Sequence, residues 1–227
     1  MAEMKYLFGK NSKGEDVYKY VIGNKNGMQV TFTDLGAAVT SIQIMDAKQQ
    51  GCEVALSYDD PLLYEKQTTY FGAIVAPYAN RIADATFEID GVTYTLDANN
   101  FENNLHSGKD GLAKKIWQVA EHGEDRIVFA FSVKDLEFGF PGNVEYQVIY
   151  EVTEINELVI SYCVKTDKKT AINMTNHTYF NLDGHDSTEI YDELLWIKAA
   201  NYTPVVKGAI PTGEIAPVAG TPMDFTQ

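Results

Sequence analysis

The chain reads as an all-β protein of stacked antiparallel sheets, and three observations carry that reading. Apolar residues alternate with polar ones in several runs, the mark of strands with one buried face. Val144, Tyr146, Val148, Tyr150 and Val152 keep strict period two, and so do Leu158, Ile160, Tyr162 and Val164. The composition, with 14 Tyr, 11 Phe and 17 Gly, favours strands and tight turns over helices. Turn signals rich in Gly, Asn and Asp separate the runs.

Taken in order, residues 17–22 and 28–32 form a hairpin across Gly-Asn-Lys-Asn-Gly. Residues 61–66 hold a short helical turn beginning at Pro61. An apolar strand then ends in Pro77 and delivers Asn80-Arg81 at its mouth. Phe87, Ile89, Val92 and Tyr94 alternate around Asp90-Gly91, the best two-residue hairpin signal in the chain. After the two period-two runs, a strand pattern leads into 173–182, closed by a turn at Asp183-Gly184. No internal repeat, low-complexity stretch or linker interrupts this rhythm. Residues 1–227 are expected to form a single domain, since β-sandwiches reach this size as one unit.

The formal net charge is −14 and the isoelectric point about 4.6. That balance argues against nucleic acid, whose phosphates need Lys and Arg, and against an anionic membrane surface. Residues 1–6 carry no apolar core of a signal peptide, and no run approaches the roughly 20 apolar residues of a membrane span. A cytoplasmic location is expected. The two cysteines, Cys52 and Cys163, sit in apolar strand-like runs and read as buried, reduced thiols. The four His show no metal-ligand spacing, and no glycine-rich phosphate loop is present, so no metal and no cofactor is expected. His122 reads as solvated in a charged hairpin turn and His185 as a surface-loop residue.

The stretch Asn173-Met174-Thr175-Asn176-His177-Thr178-Tyr179-Phe180-Asn181-Leu182 is the most unusual in the chain. It places three Asn, two Thr, one His and one Tyr among apolar neighbours. Buried polar groups need partners, and each one left unpaired costs roughly 1–3 kcal/mol. A pocket satisfies that demand if the polar residues face a polar ligand and the apolar ones face the core. A polyhydroxylated small molecule suits such a lining. Upstream, Arg81 offers a planar fork of donors; taken alone it reads as half of a structural salt bridge to one of the 32 acidic residues.

The decapeptide resembles the signature of the aldose 1-epimerase (galactose mutarotase) family, Asn/Ser-x-Thr-Asn-His-x-Tyr-Phe/Trp-Asn-Leu/Ile. Asn80-Arg81-Ile82 is similar to the family's Asn-Arg-Ile. Asn103-Asn104-Leu105-His106-Ser107-Gly108 resembles its Asn-x-Leu-His-Gly-Gly, with Ser107 where Gly is usual. Gly111-Leu112, Trp117, Gly139-Phe140-Pro141-Gly142 and the run from Gly220 to Phe225 continue the likeness.

The resemblance implies a large twisted antiparallel β-sandwich, the galactose mutarotase-like supersandwich. It implies interconversion of the α and β anomers of a hexose such as galactose or glucose. Opening the ring at C1–O5 needs a proton delivered to O5 and one removed from the C1 hydroxyl, with no redox step. On the family pattern His177 is the acid, and His106 shares the catalytic centre. Asn80, Arg81, His106, Asn176 and Tyr179 are the substrate-binding residues.

The family's general base, a Glu, and a sugar-binding Asp lie past the position matching Gln227, so the C-terminal strands are expected to be missing. An incomplete sandwich exposes edges and apolar faces, and a homo-oligomer is one outcome. Two other functions stay open: a carbohydrate-binding domain or truncated pseudoenzyme without turnover, and a hexose-6-phosphate 1-epimerase, which would want more Lys and Arg than this chain has.

Overall fold

The computed structural model describes residues 4–226 other than 46, 47 and 49. β1 (Lys5–Lys10), β2 (Asp16–Gly23), β3 (Gln29–Thr33), β4 (Ala38–Met45) and β5 (Gly51–Glu53) form one antiparallel sheet in sequence order. A short helix α1 (Pro61–Lys66) follows, its Asp60 side chain accepting from the Leu62 N–H and Pro61 set in its first turn. Next come five short strands, β6 (Ile74–Val75), β7 (Arg81–Ile82), β8 (Thr86–Ile89), β9 (Val92–Thr95) and β10 (Asn104–Leu105). β8 pairs with β9, and β7 with β10. β11 (Gln118–His122), β12 (Arg126–Val133), β13 (Val144–Val152) and β14 (Leu158–Thr166) make the second large antiparallel sheet, again in sequence order. β15 (Thr175–Asn176) returns to pair with β6, and β16 (Asn201–Tyr202) pairs with β17 (Ala216–Pro217).

The two large sheets share one core, and period two decides which side chains enter it. Along β13, Val144, Tyr146, Val148, Tyr150 and Val152 are buried, while Glu145, Gln147 and Glu151 face out. They meet Tyr20, Ile22, Val30, Phe32 and Val39 of the first sheet. The Phe32 ring lies 4.5 Å from Tyr150 and 6.1 Å from Phe129. Each fully buried apolar side chain of this kind contributes roughly 1.5–3 kcal/mol. The Tyr150 hydroxyl donates to the Ala37 carbonyl at 2.9 Å, tying the second sheet to the chain entering β4. The fold is thus the expected all-β sandwich, and the helical turn and both hairpins fall where the sequence places them. Asp90 (φ 52) and Gly91 (φ 80) are both left-handed, as the two-residue turn requires.

Several expectations need correction. Residues 173–182 are not a continuous strand. Only Thr175–Asn176 ladder with β6; after them the chain bonds the opposite way, Leu56 N–H to the Tyr179 carbonyl and Asn181 N–H to the Val54 carbonyl. The apolar residues of the stretch do not all face the core. Ile172 and Met174 pack against it, but Phe180 and Leu182 are 56% and 64% exposed. Cys163 is exposed, because it lies on the outer face of β14, and Cys52 is half-buried. His122 is not solvated: it ends β11, with Nε2 3.0 Å from the Val21 carbonyl and its ring edge-on to Tyr20. His185 does lie in a loop, but Nδ1 is held 2.9 Å from the Ala55 carbonyl.

Candidate functional site

Three short segments converge on the site, and backbone geometry aims each of them. The pairing of β7 with β10 sets Arg81 opposite Leu105, so Arg81 and His106 come from neighbouring positions. Asn80 (φ 65) and His106 (φ 54) both adopt left-handed backbone, uncommon for residues with a Cβ and concentrated at functional sites. They bond reciprocally: the His106 N–H donates to the Asn80 carbonyl at 3.0 Å, and the Asn80 N–H donates to His106 Nδ1 at 3.0 Å.

That second bond fixes the chemistry of His106. Nδ1 accepts a proton donor, so the ring's own proton sits on Nε2. Burial, then the neighbouring His177 and Arg81, push the imidazole down to about 4. At neutral pH His106 is a neutral hydrogen-bond donor through Nε2–H.

Ser107 is more than a tolerated glycine substitute. It sits at φ 65, and its hydroxyl accepts from the Tyr78 N–H at 2.7 Å and donates to the Tyr78 carbonyl at 3.0 Å. The Asn-rich loop before it is scaffolding of the same kind. Asn99 brackets Leu105 with bonds of 2.7 and 2.9 Å, and Asn103 accepts from the Asp84 N–H at 3.0 Å.

Arg81 is held by amides rather than by acids. Its Nε donates to Asn100 Oδ1 at 2.9 Å and an Nη to Asn80 Oδ1 at 3.3 Å. Among the described residues no carboxylate pairs with it, so the salt-bridge reading of Arg81 fails. Its remaining N–H groups point to no described partner, and the positive charge is left uncompensated for a ligand.

His177 enters from the third segment. Its N–H donates to the Ala73 carbonyl at 2.9 Å and its carbonyl accepts from Gly72 at 3.1 Å. The imidazole lies 5.3 Å from that of His106, at 88° to it. Tyr179 stacks on it at 5.2 Å and Tyr70 lies against it at 5.7 Å. The structure therefore brings together Asn80, Arg81, His106, His177 and Tyr179. Asn176 is different: its amide is spent on the scaffold. Nδ2 donates to the Gly72 carbonyl at 2.8 Å and to the Tyr150 hydroxyl, while Oδ1 accepts from Thr178 N–H and Oγ1.

Sequence reasoning missed Asn100, which orients Arg81, and Tyr70, which touches both imidazoles. Tyr70 stood beside Gly72 in the upstream apolar run; nothing local marked Asn100 out from its Asn neighbours. The surface depression lined by Ala130, Glu145, Gln147, Cys163 and Lys165 shares no residue with this cluster. Among the described residues no three His, Cys, Asp or Glu side chains converge to hold a metal ion.

Comparison with known proteins places the chain in a family. A profile of the aldose 1-epimerase family matches residues 18–227. The chain belongs to the aldose 1-epimerase family. It is 38% identical over 212 residues to the aldose 1-epimerase of Escherichia coli K12, covering 93% of this chain and 61% of that protein. It is 36% identical over 222 residues to human galactose mutarotase, covering 96% of this chain and 64% of the relative. The chain thus spans about three-fifths of the length of these curated relatives. Among solved structures, the aldose epimerase homologue from C. elegans superimposes with a TM-score of 0.84 at 30% identity, over 91% of this chain and 63% of the other. The galactose 1-epimerase from Lactobacillus acidophilus NCFM gives 0.85 at 25% identity, over 98% and 65%. Both likenesses cover more than nine-tenths of this chain, and so support the sandwich as a family fold.

Proposed function

We propose that this family member binds a hexose such as galactose or glucose at the Arg81–His106–His177 cluster and takes part in exchange of its anomers. The observation that carries the reading is the placement of two imidazoles 5.3 Å apart beside an uncompensated guanidinium. Such a site offers several donors to a ligand rich in hydroxyl oxygens. His177 delivers the proton to the ring oxygen as C1–O5 breaks. His106, neutral and carrying its proton on Nε2, and Arg81 donate to sugar oxygens and stabilise charge near O5. Asn80 sets the first and steadies the second. Tyr179 packs on the sugar's C–H face. Opening, rotation about C1–C2 and reclosure then exchange the anomers.

The C1 hydroxyl must also lose a proton, and among the described residues the groups gathered here include no carboxylate. That observation favours a second reading for this chain by itself, a sugar-binding sandwich with little turnover. A hexose-6-phosphate substrate fits less well, because among the described residues Arg81 is the only Lys or Arg side chain placed in the cluster. Residues 1–227 act as a single domain in this reading. The unpaired thiols Cys52 and Cys163 fit a reducing, cytoplasmic setting. Polarimetry on fresh α-galactose tests the assignment. His177→Asn should slow mutarotation by about 10²–10⁴-fold while galactose affinity changes little. Undiminished rates in that variant would remove His177 as the acid.

A further inference from the structure

His177 presents an unusual problem of orientation. A group that must hand a proton to one sugar oxygen needs a fixed angle, and histidines usually obtain it from a hydrogen bond to one ring nitrogen. Here the His177 backbone is bonded on both sides, but among the described residues neither ring nitrogen has a partner. What holds the ring is aromatic packing. Tyr179 lies 5.2 Å away with planes 29° apart, and Tyr70 lies 5.7 Å away with planes 35° apart.

Tyr70 has a second contact that Tyr179 lacks. Its ring meets His106 at 4.7 Å and 67°, an edge-to-face geometry. The three rings Tyr70, His106 and His177 therefore form a closed triangle. The Tyr70 backbone is bent to achieve this: φ is 59°, left-handed for a residue with a large side chain. Its carbonyl accepts from the Ala73 N–H at 3.1 Å, which secures the turn just before the backbone that holds His177. Burial raises the Tyr70 phenol above its ordinary value, and the hydroxyl bonds to no described residue. The ring, rather than the hydroxyl, makes the contacts that fix the imidazoles.

We propose that Tyr70 is a positioning residue of the sugar site, its ring setting the angle between the His177 and His106 imidazoles. The proposal rests on the reading of these two histidines as the ligand-facing pair.

The test removes the ring without opposing the backbone. Tyr70→Gly and Tyr70→Asn both accept a left-handed φ, so the turn survives in each and at least one folded variant is expected. Tyr70→Phe keeps the ring. Two-dimensional NMR of the imidazole carbons and nitrogens, and galactose affinity from the same titrations, are compared in folded samples of the full chain. In Tyr70→Gly and Tyr70→Asn the resonances of both imidazoles should move, and galactose affinity should fall by about 10-fold or more. In Tyr70→Phe the imidazole resonances should stay close to the parent's and galactose affinity within about 3-fold of it, since the packing face is retained. Unmoved imidazole resonances in the ring-less variants would overturn the proposal. So would a Tyr70→Phe variant as weak as Tyr70→Gly, which would make the hydroxyl a direct sugar contact. A wild-type chain with no galactose response, but with imidazoles that still move in the ring-less variants, would fail the sugar reading and leave the positioning role standing.

Discussion

At the scale of single residues, His106 and Ser107 carry the sharpest expectations. The folded His106 titrates below its ordinary 6.5, down to about 4. The fold therefore favours the neutral ring, and this contribution is complete above pH 6.5 and is lost as pH falls from there toward 4. An NMR titration should find His106 neutral at pH 5.5 with its proton on Nε2; a cationic ring at that pH would refute the assigned tautomer. Arg81 donates from a charged group, so Arg81→Ala should weaken galactose binding by roughly 1.5–3 kcal/mol, about 10- to 100-fold in Kd, by calorimetry. Ser107→Ala leaves the buried Ser107 site at φ 65 and strips the Tyr78 N–H of its partner. It should cost about 1–3 kcal/mol in urea unfolding. Ser107→Gly loses the same bonds but relieves the left-handed backbone, so it should cost less than Ser107→Ala.

At the scale of elements, the segment around β6 is the strut between the first sheet and the site. Gly72 accepts from the Val39 N–H at 2.9 Å and donates to the His177 carbonyl at 3.1 Å. A Cβ on Gly72 would stand 1.8 Å from the Val39 carbonyl oxygen, at a φ of +64°. Gly72→Ala should therefore cost more than about 4 kcal/mol, an exceptional value for one methyl group, and displace His177 as it does so. Native-like urea unfolding in that variant would contradict the strut.

The corner after β3 offers a pH test. Asp34 is 4% exposed and accepts from the Tyr18 N–H at 3.0 Å. Burial outweighs that bond and the nearby Lys5, pushing the carboxyl up to about 6 from 3.8. Because the folded value is the higher one, the protonated form is favoured in the fold and stability falls as pH rises between roughly 4 and 6. Asp34→Asn keeps the acceptor and removes the charge. Its stability relative to wild type should therefore improve by on the order of 2–3 kcal/mol between pH 4 and pH 7. A pH-independent difference would exclude Asp34 as the source.

At the scale of the whole molecule, charge and exposed apolar surface oppose each other. Tyr191, Leu194, Leu195 and Trp196 are 86%, 99%, 63% and 62% exposed, with Ile190 and Ile197 beside them. A contiguous exposed run of this kind promotes association. The net charge of −14 resists it, and salt screens that repulsion. Light scattering should show a mass that grows with protein concentration and grows further at high salt. Leu194→Lys with Leu195→Lys should reduce the effect at both salt levels. A monomer at all concentrations and high salt would show that the strip is covered from within.

The sandwich, its hairpins and the polar stretch around His177 were legible in the residues alone. Period two is a local property: Tyr146 and Tyr150 share one face of a strand whatever packs on it, and Asp90-Gly91 supplies its own left-handed turn. The decapeptide around His177 was visible because its residue types are costly to bury without a purpose, whereas Asn80-Arg81 and the loop through His106 stood out only by resemblance to the family's motifs. What the side chains do there depended on partners far away in the chain. Asn176 looks like a ligand until Gly72 and Tyr150 take up its amide. Arg81 looks like half a salt bridge until Asn100 takes the place of the acid. His106 has no assigned proton until the Asn80 N–H arrives at Nδ1. Phe180 and Leu182 alternate like core residues, yet face outward where the chain leaves β6 for the segment before α1. Tyr70 carries no local sign of its place between two imidazoles. In each case the deciding contact joins segments distant in sequence, and only the tertiary fold brings them within reach.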